Sequence, residues 1–293
     1  MHRLQPIPAL LRAIYGLYKD SGFSMAGAVA FGFVVSFFPF CIFLAALAGH
    51  FGGEHLAQLA IGELFQVLPH QAAEALAPEV TAAIGKSRID LLTIGGFLSL
   101  FFATSAMEYM RAALNTSYRA KEDRFYPWCL TLSGLFVIGT AIALLLLTWG
   151  IVIGPDYVAR VSPRLAGWLS EGTWLAFIVR NALIISGLIV LLCGYHLWLT
   201  AGTRRLVDVL PGVFLSVLLL LMAAKAFAYY LTWTNYSRFY AGLAQIMVAL
   251  IFFQFAAVII MLGAEFNRGI AEIKAQLASR ELADALRPGR GNA

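Results

Sequence analysis

The chain has 293 residues, 60% of them apolar and 13% charged, with a formal net charge of +5 and a mean hydropathy of +0.79. A soluble domain carries about 45–50% apolar and about 25% charged residues, so this chain has too little polar surface to coat a water-exposed globule of its size. These figures argue against a soluble enzyme. They exclude a disordered chain and, with only three cysteines, a disulfide-built secreted scaffold.

In chain order, residues 1–23 place Ile7, Leu11, Ile14 and Leu17 on one helical side with basic residues elsewhere, which predicts an amphipathic surface helix anchoring a bundle. Six apolar stretches then follow at about 24–49, 89–110, 130–154, 174–199, 209–232 and 243–264. Each is long enough to cross a hydrocarbon core of about 30 Å as a helix, and none shows the period-2 alternation of a barrel strand. The expected architecture is a single all-α membrane domain of six transmembrane helices with short amphipathic interfacial helices. The first stretch is read as an uncleaved span, since its apolar run exceeds a signal-peptide core and contains Pro39. The outer loop 50–88 carries helically spaced leucines and is expected to form short interfacial helices. The segment 265–293 is expected to be a second cytoplasmic amphipathic segment, frayed over 287–293.

All six tryptophans (Trp128, Trp149, Trp168, Trp174, Trp198 and Trp233) fall near a span end, the headgroup level that the indole ring prefers. Of the 21 Lys and Arg residues, fourteen lie in the two terminal segments and in the second and fourth connections, and five in the other three connections. Both termini are therefore expected in the cytoplasm. The charge is not a nucleic-acid footprint, because no binding motif accompanies it.

The two cations left over are Arg180 and Lys225, inside the fourth and fifth spans. Counted from the outer ends of their helices they lie about 9 and 12 Å deep, both in the outer half of the membrane. Either they snorkel to outer headgroups, or they line a cationic cavity that receives an anionic group such as a lipid phosphate. At the cytoplasmic face, Glu108 and Arg111, and Glu265 and Arg268, stand at i and i+3, with Asn115 and Asn267 at similar depth. They form either a structural clasp or an inner gate. A stripe of Ala28, Gly32 and Ser36 leading to Pro39 suits close helix packing or a broken helix, as do Pro211 and Gly212 at the start of the fifth span. The cysteines Cys41, Cys129 and Cys193 read as small reduced apolar residues. His50 and His55 are five apart, off the spacing that aligns two ligands on one helical face, so no metal and no cofactor is expected. No phosphate-binding loop, nucleophile elbow or zinc-protease motif occurs, so the chain is not read as an enzyme.

Four stretches carry a resemblance: Ala26 to Pro39 (AGAVAFGFVVSFFP), Met107 to Asn115 (MEYMRAALN) with Tyr118, Asp208 to Gly212 (DVLPG), and Tyr236 to Gly242 followed by Gly263 to Asn267 (GAEFN). In order and spacing over nearly the whole chain they resemble the YihY/BrkB family of bacterial inner-membrane proteins. Phe31, Gly32 and Phe33 depart from that family's Tyr- or Thr-rich stretch. The resemblance implies six spans with both ends cytoplasmic and a role in virulence or serum resistance, linked to transport of envelope lipid. The family has also borne the name ribonuclease BN, which no His-x-His-x-Asp-His run here supports. The expectation is a transporter or translocation path for an anionic amphipathic substrate such as a phospholipid, with membrane lipids as its partners. The alternative is a non-catalytic envelope scaffold that docks a periplasmic partner through loop 50–88.

Overall fold

A computed structural model describes residues 6–36, 39, 89–152, 174–233 and 243–286. The described chain is helical without a strand: α1 (Pro6–Lys19), α2 (Gly22–Ser36), α3 (Ile89–Tyr118), α4 (Tyr126–Val152), α5 (Trp174–Gly194), α6 (Leu206–Trp233) and α7 (Leu243–Leu286). Four of these, α4 to α7, are long and apolar enough to cross a membrane. With 30 residues, α3 reaches about 45 Å. The chain is an all-α integral membrane protein. Loop 50–88, residues 40–49 with Cys41, and the tail 287–293 lie outside the described residues.

Buried residues concentrate at one end of the bundle, where α1 and the 119–125 and 200–205 connections sit. There Met107, Met110 and Leu114 of α3 pack with Leu192, Leu199, Val213, Val217 and Met261. Two glycines set the helix crossings. A Cβ on Gly32 would stand 2.8 Å from the Ala106 Cβ, so α2 and α3 touch there, and a Cβ on Gly263 would stand 2.7 Å from the Gly212 carbonyl oxygen, where α6 and α7 cross. Such backbone approach is what small residues permit between membrane helices. Gly32 and Gly212 are thus contact points, and Ser36 donates to the Phe33 carbonyl within its own helix at 2.8 Å.

Pro211 leaves no N–H for the ladder of α6. The disturbed turn is completed from α7: the Asn267 Oδ1 accepts the Gly212 N–H at 2.6 Å, and its Nδ2 donates to the Val209 carbonyl at 3.0 Å. At the other side, α3 ends in a Schellman turn. The Arg119 N–H bonds the Thr116 carbonyl at 3.0 Å and the Ala120 N–H bonds the Asn115 carbonyl at 2.9 Å. Arg119 takes the left-handed conformation (φ 54) that usually belongs to glycine, at a cost of about 1–2 kcal/mol.

The two terminal helices pack as follows. In α1, Leu17 is buried, whereas Ile7, Leu11 and Ile14 are 72%, 64% and 52% exposed, and Ala9 and Ala13 are the buried positions. The helix meets α7 through small residues: a Cβ on Gly269 would lie 3.1 Å from the Ala9 carbonyl oxygen. In α7, the tail segment is no separate element. The helix continues for about 33 Å beyond residue 264.

Candidate functional site

The packed end of the bundle is organised by three polar clusters. The first centres on Arg111, whose Nε and Nη2 fork the Glu108 carboxylate at 3.0 and 2.7 Å while Nη1 pairs with Glu122. Glu122 also accepts from the Arg124 Nε and Nη2 at 2.7 and 2.8 Å and from the Asn115 Nδ2 at 3.0 Å. Arg124 then reaches the carbonyls of Trp198 and Leu199 at 3.2 and 3.0 Å, and the Asn115 Oδ1 accepts the Ala201 N–H at 2.7 Å. Ser133 of α4 donates to Glu108. Bidentate pairs of this kind are the strong ion pairs. Through them α3, α4 and the chain after α5 become one unit. The Arg124 guanidinium, helped by burial-opposing hydrogen bonds from Asn115 and the Arg124 backbone, holds the Glu122 carboxyl down at about 2.

The second cluster surrounds Tyr118 at the end of α3. Its hydroxyl lies 3.0 Å from the Asn267 Nδ2 and 2.8 Å from the His196 Nδ1. Because the Gly212 N–H fixes Asn267 with its oxygen toward α6, Asn267 donates to Tyr118, and the His196 tautomer sets the direction of the Tyr118–His196 bond. His196 is fully buried, and its Nε2 has no partner among the described residues. It sits in a π-helical turn, Tyr195–Leu199, that continues α5. Over the Tyr118 ring, 3.8 Å from its centroid, lies the Arg204 guanidinium.

Glu265 anchors the third cluster. It is 1% exposed and pairs with Arg268 at 2.6 Å and Arg119 at 3.3 Å. Arg119 also pairs with Asp20, and Arg268 with Glu272. Gly16 of α1 faces this carboxylate so closely that any side chain would displace it. The left-handed Arg119 places its guanidinium between Asp20, in the turn after α1, and Glu265 of α7.

These clusters assemble the sequence-predicted Glu108, Arg111, Asn115, Glu265 and Asn267 at one end. Glu122, Arg119, Asp20 and His196 join them without having been singled out. Glu122 and Asp20 carry no helical register to their partners, and His196 is one isolated histidine in an apolar run.

A family model described as virulence factor BrkB matches residues 13–286. The chain belongs to the virulence factor BrkB family. Among relatives of this BrkB protein, the ribonuclease-like protein YfkH of Bacillus subtilis (strain 168) is 25% identical over 272 residues, which is 88% of this chain and 94% of that protein. The UPF0761 membrane protein YihY of Salmonella paratyphi B and that of Salmonella newport are each 27% identical over 209 residues, 66% of this chain and 65% of theirs. No solved structure matches. For the ribonuclease-like name, the described residues of this BrkB chain show no group of three metal-binding side chains.

Beyond the clusters, the BrkB helices separate into apolar grooves. One, of about 490 Å³, runs between α4 and α5 past Phe136, Gly139, Leu183, Gly187, Val190 and Trp198. Arg180 is exposed and stands three residues before Leu183, on the helical face that lines this groove. A second, of about 430 Å³, lies between α6 and α7, lined by Leu220, Phe227, Tyr230 and Phe252. Lys225 is exposed on the other side of α6, in the stripe of Phe214, Leu218, Met222 and Tyr229. The two cations thus stand on different helix faces. A third groove, of about 500 Å³, lies between α3 and α4 and ends at Glu108.

Proposed function

We propose that this BrkB-family protein is a path for an anionic amphipathic lipid through the bacterial inner membrane, with the three polar clusters closing its cytoplasmic end. The groove between α4 and α5, headed by Arg180, carries this reading. From Arg180 to Trp198 is eighteen residues, or about 27 Å along the helix, close to the about 30 Å of the hydrocarbon core. Its walls suit an acyl chain, and Arg180 at the outer end suits a phosphate. Lys225 supplies a second outer cation on α6. The excess of basic residues at the clustered end supports its placement in the cytoplasm.

The test is transbilayer movement of headgroup-labelled phosphatidylglycerol in vesicles containing the full chain. Losing a charge-assisted contact to the phosphate predicts that Arg180→Ala slows movement by about tenfold, and Arg180→Ala with Lys225→Ala slows it further. Wild-type movement no faster than in protein-free vesicles, or an unchanged rate in the double variant, overturns the proposal.

A further inference from the structure

The groove between α3 and α4 has an apolar and a polar end. Phe97, Leu100 and Phe101 wall one end, while Glu108, with Tyr109 and Tyr126 beside it, stands at the other, about 16 Å along α3. Of the described grooves between the apolar helices, this is the one with a carboxylate in its lining.

The polar end offers acceptors around Glu108, with the Tyr109 and Tyr126 hydroxyls beside them. Arg111 is 8% exposed and directs Nε and Nη2 to Glu108 and Nη1 to Glu122, and the carboxylate is the charge that lines the groove. Two neighbouring hydroxyls are spent as donors. Ser105 donates to the Phe101 carbonyl at 2.9 Å, and Thr131 donates to the Pro127 carbonyl at 2.9 Å. What Ser105, Thr131 and Glu108 retain are lone pairs. A primary ammonium, with three N–H donors and no acceptor, matches these lone pairs.

We propose that this groove binds a membrane lipid with a primary-ammonium headgroup, the ammonium on Glu108, Ser105 and Thr131 and an acyl chain along Phe97, Leu100 and Phe101. The site is separate from the groove headed by Arg180, and its test does not depend on lipid movement. It discriminates by hydrogen-bond donors as well as charge: a trimethylated ammonium has the same charge but no N–H to give.

The experiment is retention of lipid by the purified full chain, read by native mass spectrometry after exchange against phosphatidylethanolamine, phosphatidylcholine and phosphatidylglycerol with identical acyl chains. The expected result is retention of phosphatidylethanolamine at least about tenfold above phosphatidylcholine, since the latter forfeits charge-assisted hydrogen bonds. Glu108→Gln is expected to erase that preference. Because Glu108 also belongs to the Arg111 cluster, Gly134→Leu is the second variant. A Cβ at Gly134 meets only the Thr104 Oγ1, at 3.6 Å, and Cγ2 at 4.0 Å, so this groove-lining position has room for a larger side chain that occupies the groove. It too is expected to lose the preference. Equal retention of the ethanolamine and choline lipids, a preference for phosphatidylglycerol, or a preference that survives Gly134→Leu overturns the proposal.

Discussion

Replacing Arg111 with methionine keeps most of the side-chain volume and removes the charge that two carboxylates share. Glu108 and Glu122 are 14% and 23% exposed at the side chain. Without Arg111, Glu108 keeps Ser133, and Glu122 keeps Arg124 and Asn115. Breaking a buried ion pair from one side costs about 3–5 kcal/mol, because the stranded charge cannot be rehydrated. Glu108 is the carboxylate left without a cation, so the cost falls mainly on it. The double variant Glu108→Gln, Arg111→Met strands no carboxylate, since Glu122 keeps Arg124, and is expected to be more stable than Arg111→Met alone. Thermal unfolding of the detergent-solubilised chain, followed by tryptophan fluorescence, measures both. A loss below about 1 kcal/mol in Arg111→Met, the range of an exposed pair, or a double variant no better than the single one, refutes the reasoning.

Gly212→Leu drives a side chain into the Gly263 backbone and is expected to prevent stable membrane accumulation. Gly139→Leu, where a Cβ meets nothing within 4 Å, is expected to accumulate normally on the same immunoblot. Tyr118→Phe leaves the His196 Nδ1 and one Asn267 N–H unpaired, so unfolding is expected to show a loss of about 2–4 kcal/mol. The Glu122 carboxyl is held down at about 2, below its ordinary 4.5. Its contribution is complete above about pH 4.5 and is lost as pH falls through about 2. A melting-temperature profile from pH 5 to 2 should therefore be flatter in Glu122→Gln than in the wild type.

Hydropathy made the membrane helices legible because lipid imposes long apolar runs, and the i, i+3 spacing made the Glu108–Arg111 and Glu265–Arg268 pairs legible because one helix brings them together. The remaining cluster members meet across the fold. Glu122 reaches Arg111 eleven residues away only because the Schellman turn at Arg119 reverses the chain, and Glu265 reaches Arg119 over 146 residues. Nothing in the local pattern Lys121-Glu122-Asp123-Arg124 distinguishes it from a solvated loop. In α1 the hydropathy stripe marks the apolar side of a surface helix, and it gave no sign of the face packed on α7, which is built from Ala9, Ala13 and Gly16. Close helix approach needs small side chains, and small side chains carry little hydropathy signal. Arg180 was legible as an intramembrane cation, and its alignment with an apolar groove became visible only once α4 stood beside α5.

The most direct measurement of the lipid path is photolabelling in vesicles with phosphatidylglycerol that carries a diazirine in its acyl chain. The account predicts that label concentrates on peptides from the groove between α4 and α5, around Gly139, Gly187 and Val190, and that Arg180→Ala removes this concentration. Label spread evenly over the groove and the exposed stripe of Phe214, Leu218 and Met222, unchanged by Arg180→Ala, would contradict it.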